Sequence, residues 1–197
     1  MARRQTKIKS RTLELRAKLF PDLKEEELWA RQKYDGFTTI PRTMPLVMSI
    51  IDDLTKGAPA SSTYLELWGR AYDEMYVPLN NPDVHAFHAG FTGQRAKRTW
   101  VQRIESLAEL GFIYTAGGTS GKHAHAVIVN PHLALKRLKD KGQPGLTTDK
   151  YNALVERGIE VGAKDVDADM PEPPPVPPIK PVAKKTAAAT FAQISTK

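Results

Sequence analysis

Apolar residues recur at helical spacing in several separate stretches. Leu46, Val47, Ile50, Ile51 and Leu54 return every three or four positions behind Pro45. That predicts a helix running to about Lys56, with Pro45 in its first turn and Gly57 and Pro59 ending it. Tyr64, Leu65, Leu67, Trp68 and Tyr72 predict a second helix through about Met75, capped by Ser61 or Ser62. A loop follows, marked by Pro78, Asn80, Asn81 and Pro82. A third helix is expected from Gly93 to Leu110, capped by Thr92 and closed by Gly111. The period then changes. Phe112–Tyr114 and Ala126–Val129 read as strands flanking a polar, glycine-rich stretch, Ala116 to His125, which predicts a β-hairpin with a long tip. Asn130-Pro131 ends the hairpin, and Leu133–Lys141 can form a closing helix.

The flanks are plainer. Leu13, Leu15, Leu19 and Phe20 predict a helix that Pro21 stops. The first dozen residues before it read as a flexible basic arm. The run KEEELWARQKY predicts a further helical segment ended by Gly36. Beyond the closing helix, Thr147 or Thr148 can cap a short helix to Gly158, with Tyr151, Leu154 and Val155 on its apolar face. From Asp165 onward prolines dominate and few apolar side chains are available to offset ordering, so this stretch is expected to be a disordered tail. Such a tail suits a spacer, or a polyproline ligand for a protein partner. The expected organisation is a basic arm and helical extension over 1–37, a folded domain over 38–141, a short helix within 142–164 and a tail over 165–197.

Three helices followed by a two-stranded hairpin, with Thr92–Ile113 running a helix straight into the first strand, resemble winged helix-turn-helix DNA-binding proteins. The resemblance spans roughly residues 45–130 and stands at the level of the superfamily. It implies a mainly α fold with a small β-hairpin, a recognition helix at 93–110 and a wing at 116–125. It also implies double-stranded DNA as partner, and dimerisation, for which Leu13, Leu15, Leu19, Leu28 and Trp29 offer surface.

Residue types in the third helix fit that expectation independently. At 100° per residue, Trp100, Ile104 and Leu107 share one side, with Ala96 and Ala108 beside them. Gln94, Arg95, Arg98, Gln102, Glu105 and Glu109 share the other. A recognition helix enters the major groove by its N-terminal part, where Arg takes guanine O6/N7 and Gln takes adenine N6/N7. Lys97 and Thr99 add donors to the same half. Arg103, close to the apolar side, is expected to snorkel or pair with a carboxylate. In the wing, Thr119, Ser120, Lys122 and His123 are candidate phosphate contacts. Arg3 and Arg4 are candidates in the arm.

Charge sharpens the picture. The formal net charge is +7. Residues 142–197 cancel, so the whole excess lies in residues 1–141. Residues 1–20 carry seven basic groups against Glu14 alone, and residues 91–104 carry Arg95, Lys97, Arg98 and Arg103 with no acid. Concentrated charge of this kind suits a polyanion. It also suits a basic helix in a protein-docking module, so an adaptor or structural subunit of a larger complex stands as the alternative.

Other chemistry finds little support. There is no cysteine, which excludes a disulfide scaffold and Cys-ligated metal. GGTSGK departs from a P-loop, since His123 follows Lys122 and a strand, not a helix, comes next. His85, His88, His123 and His125 lack the carboxylate spacing of a zinc site, and exposed histidines beside phosphate are the expected role. No nucleophile elbow or ordered Ser–His–Asp set stands out, so no enzyme, cofactor or metal is expected. No apolar run is long enough to span a membrane, and no apolar segment of a secretory signal follows the basic N-terminus. The sum is a cytoplasmic, nucleoid-associated regulator, or a replication or partition accessory factor, of a bacterium or mobile element.

Overall fold

The structure is a computed structural model and describes residues 2–166. The chain divides between Thr39 and Ile40 into two compact units. Among the described residues there are seven α-helices and one three-stranded antiparallel sheet. No helix among them is long and apolar enough to cross a membrane.

The first unit holds α1 (Ala2–Leu19), which runs through the residues expected to be a flexible arm. Arg16 of α1 pairs with Glu25. The second helical segment expected over 24–34 is not formed. A single 3₁₀ turn, Glu25–Glu27, takes its place, and Leu28 leaves it in an extended conformation. Helices of this length are marginal without a buried face. Here Trp29 stays 63% exposed, with Phe37 edge-on to it at 5.8 Å.

The second unit begins with α2 (Met44–Leu54), whose Met44, Val47, Ile50 and Ile51 are buried in the expected period. Then comes α3 (Ser61–Arg70). Its first turn is not capped by Ser61 or Ser62. The Asp52 carboxylate of α2 does that instead, accepting from Ser61 N at 3.0 Å and Ser61 Oγ at 2.7 Å. Its neighbour Asp53 pairs with Lys150, so the two carboxylates serve different helices.

From here the order of elements differs from the expected one. The second helix ends at Arg70, five residues early, because Ala71 turns extended. The expected loop contains a strand, β1 (Tyr76–Pro78), and a helix, α4 (Pro82–His88). Asn81 and Pro82, read as loop residues, are the cap and first residue of that helix. The Asn81 side chain accepts from Val84 N.

Next is α5 (Ala96–Glu109), shorter at its start than expected. Gly93, at φ +81°, turns the chain before it, Arg95 takes the N-cap position, and Thr92 lies outside. Trp100, Ile104 and Leu107 are buried as the periodicity requires. They meet Tyr64, Leu67 and Phe112 in one core, with Tyr64 edge-on to Phe112 at 5.6 Å.

The hairpin is β2 (Ile113–Gly118) and β3 (Gly121–Ile128), and β1 joins its far side in the order β1-β3-β2. The expected ten-residue tip is a two-residue turn, Thr119-Ser120. The glycines sit in the strands and let them approach. A Cβ at Gly118 would lie 2.7 Å from Ala124 Cβ and 2.8 Å from His125 Nε2. A bulge between Ala116 and Gly118 absorbs the irregularity.

Two helices close the unit: α6 (Pro131–Asp140), capped by Asn130, and α7 (Thr148–Val161), capped by Thr147. Contrary to the expected boundary, Asp165 and Val166 belong to the packed structure. Val166 is 3% exposed and lies against Gly158, where a Cβ would meet its Cγ2 at 2.4 Å. Asp165 Oδ2 accepts from Asn130 Nδ2 at 2.6 Å and from His132 Nδ1 at 2.9 Å. His132 Nε2 shares a 2.7 Å hydrogen bond with the buried Thr43 hydroxyl. This clasp joins the end of the described chain to the starts of α6 and α2. The rest of the expected tail, 167–197, lies outside the described residues.

Two predictions follow from this packing. Trp100→Ala should cost about 3–5 kcal/mol, the range for truncating a buried aromatic, read from chemical denaturation. The clasp should also be pH-dependent. Burial opposes ionisation of Asp165, but the hydrogen bonds from Asn130 and His132 outweigh it and hold the carboxyl below the ordinary aspartate range. A carboxyl depressed in the folded state stabilises above its unfolded pKa of about 3.9, and that contribution disappears as pH falls through the folded value. The melting temperature of Asp165→Asn should therefore lie below the parent's at neutral pH, and the gap should close in acid.

Candidate nucleic-acid interface

The candidate surface is built on α5, held from below by its apolar side. Its partner there is α4, through His85. This imidazole is 3% exposed and stacks on Trp100 with centroids 5.2 Å apart and planes 19° apart. Its Nδ1 lies 3.1 and 3.3 Å from the two carboxylate oxygens of Glu66 on α3. Glu66 also pairs with Arg70, whose Nη2 donates to His88 Nδ1 at 2.7 Å. One polar network thus ties α3 to α4 directly beneath α5. His85 is a core residue and not the exposed phosphate neighbour expected.

On the outer side, the structure brings several of the predicted residues together. Arg98 and Gln102 are exposed on one stripe of α5, and Arg95 is exposed at its N-cap. Gln94 is exposed in the turn just before, so it is not on the helix. Thr99 is half-buried. Lys97 is exposed but lies 3.3 Å from Asp83 of α4. Among the described residues, Arg95 and Arg98 have no carboxylate within ion-pair distance. Arg103 stays at the edge of the core, its Nε donating to Pro59 O at 3.0 Å and its guanidinium 5.9 Å from the Phe91 centroid. A carbonyl and a ring take the place of the expected carboxylate.

In the hairpin, Thr119 and Ser120 are exposed at the tip, and Ser120 Oγ is 3.4 Å from Asn80 Oδ1. Lys122 Nζ donates to Glu105 Oε1 of α5 at 2.9 Å. The same oxygen is 3.3 Å from His123 Nε2, and His123 Nδ1 is 3.0 Å from Thr115 Oγ1. The His123 side chain is only 10% exposed, so its ring is enclosed between the hairpin and α5. Hydrogen bonds from Lys122 and then His123 hold the Glu105 carboxyl below the ordinary glutamate range. Arg3 and Arg4 lie on α1, in the first unit.

Sequence reasoning did not find Glu66 or Asp83, the buried contacts of His85, the pairing of Glu105 with the hairpin, or the Thr43–His132–Asp165 clasp. Each acts through a contact between separate elements, and local spacing carries no signal for it. The chemistry on offer is recognition by arginine and amide groups. Lys122 lies in β3, so the helix that a P-loop needs after its lysine is replaced by strand. Among the described residues, no three His, Asp or Glu side chains gather to hold a metal ion.

Compared with known proteins, the chain matches no family model, no curated protein and no solved structure.

If His85 sets the seat of α5, removing its ring leaves a void beside Trp100 and a buried carboxylate short of a donor. His85→Ala should lower stability by about 2–4 kcal/mol. His85→Gln, which keeps an N–H donor, should recover part of that loss in the same denaturation experiment.

Proposed function

We propose that the chain binds double-stranded DNA through a winged helix-turn-helix made of α3, β1, α4, α5, β2 and β3. In this reading α4 and α5 form the helix-turn-helix, α5 enters the major groove, and the β2–β3 hairpin is the wing. The element order supports it. A short strand between the first two helices pairs with the far strand of the hairpin, so the sheet flanks α5. The three helices are then α3, α4 and α5, with α2 an addition before them.

The observation that carries the reading is the state of the two arginines. α5 buries one side completely, and its opposite side offers Arg95 and Arg98, without an acid partner, beside Gln102. A guanidinium left unpaired at the start of a helix is suited to guanine or to phosphate, and an adjacent amide is suited to adenine. Asp83 neutralises Lys97 behind them, which leaves the arginines as the foremost charges. The basic residues of α1 add sequence-independent attraction to phosphate. Exposed Leu13, Leu15, Leu19 and Trp29 leave apolar surface for self-association. A regulator, or a replication or partition accessory factor, of a bacterium or mobile element is the role that fits such a protein.

The test is binding to random and selected duplexes across a salt titration. The parent should bind random duplex at low salt and lose affinity steeply as salt rises. Arg95→Ala or Arg98→Ala should each cost about 1–3 kcal/mol on the selected duplex and relax preference at one base pair. If both variants bind like the parent, this face does not hold DNA, and a protein-docking role for the same basic helix takes its place.

A further inference from the structure

Glu105 occupies an unusual place on the surface just described. It lies on the same stripe of α5 as Arg98 and Gln102, one turn further along. That position turns a carboxylate toward the side offered to the duplex. Its charge is met by two groups of the hairpin. Lys122 Nζ and His123 Nε2 both lie within 3.3 Å of Oε1. Lys122 is the only Lys or Arg between Ala116 and His125, so the wing's single permanent cation is engaged inside the molecule. The two partners differ in freedom. The His123 ring is enclosed, whereas the Lys122 side chain is 64% exposed and sits on a flexible stem. Lysine can leave while histidine stays.

We propose that Glu105 restrains phosphate binding by the hairpin: it withholds Lys122 from the backbone and opposes loose contact with any duplex. The inference rests on the DNA reading above and names a control on that same site. Away from a target, phosphate must compete with Glu105 for the lysine and must also approach a carboxylate. At a target, contacts made by Arg95, Arg98 and Gln102 draw the duplex in, and Lys122 transfers from Glu105 to the backbone. Parting the pair costs the same on any duplex; base contacts at a target outweigh that cost, and random sequence offers none. An exposed ion pair is weak, so the withholding is readily reversed.

Glu105→Gln keeps the shape and removes the charge. Its binding to random duplex DNA should tighten about two- to five-fold at moderate salt. The slope of log affinity against log salt should steepen by about one, because one more lysine neutralises phosphate. Binding to a duplex selected by the parent from a randomised pool should tighten at least as much but with its slope unchanged, because the lysine already reaches phosphate there. In a Lys122→Ala background the slope change should vanish, which separates release of the lysine from simple loss of repulsion.

Several results would overturn the inference. Equal binding and equal slope for parent and Glu105→Gln would do so while leaving the DNA reading intact. So would weaker binding to the selected duplex with random binding unchanged, since Glu105 would then be reading a base. A slope change that persists without Lys122 removes the lysine from the mechanism. If the parent binds neither duplex at low salt, the DNA reading itself fails and this inference with it. Melting curves accompany each variant, and Glu105→Ala supplies the same comparison if the glutamine form unfolds early.

Discussion

The position of α5 depends on one buried imidazole. The contacts of Ile104 and Leu107 are apolar and without direction, and they would permit the helix to roll or slide by a fraction of a turn. His85 does not permit this. Its ring must lie flat on Trp100 while its edge meets Glu66, so the rotation of α5 about its own axis is set from α4, and α4 in turn from α3. Glu66 is almost fully enclosed, and a buried carboxylate left without donors is costly. Glu66, Arg70 and His85 consequently act as a set. On the proposed DNA reading, where an error of about an ångström matters, a directional lock beneath the helix is worth more than added apolar area.

The distribution of paired and unpaired charge says more than the total. An excess of +7 spread over a chain of 197 residues locates nothing by itself. On the α5 surface, however, Lys97 and Lys122 are answered by carboxylates, and Arg95 and Arg98 are not. Lys97 meets Asp83, and Lys122 meets Glu105. A lysine is a compact charge that any phosphate satisfies, whereas a guanidinium presents a planar fork that discriminates between acceptors. Masking the first kind and displaying the second biases the surface from adhesion toward recognition.

Much of this was legible in the sequence, and the failures share a cause. The buried faces of α2, α5 and α7 could be read because each helix is long enough to repeat its period three times or more. The seven residues of α4 and three of β1 are too short for that. There, Asn81 and Pro82 read as loop punctuation in the sequence, although they are equally good signals for the start of a helix. The segment 24–34 failed in the opposite direction: it has the composition of a helix but no buried face to hold it. In the hairpin, glycine suggested a long flexible tip, whereas its use is close contact between strands at Gly118. Arg98 and Gln102 could be placed on an exposed side from spacing alone. Their setting could not, because Lys122 and Glu105 are 17 residues apart and meet only through tertiary packing.

The return of the chain after α7 has a mechanical consequence. A terminal helix that simply stopped would leave whatever follows attached to its fraying end. Here Val166 is seated on Gly158, and Asp165 is fastened to Asn130 and His132. The last described residues are thereby anchored twice, on Gly158 near the end of α7 and at the junction of β3 and α6. Tension applied at Val166 would be borne by its seat on Gly158 and then by the Asp165 hydrogen bonds, before it reached the helices that carry α5.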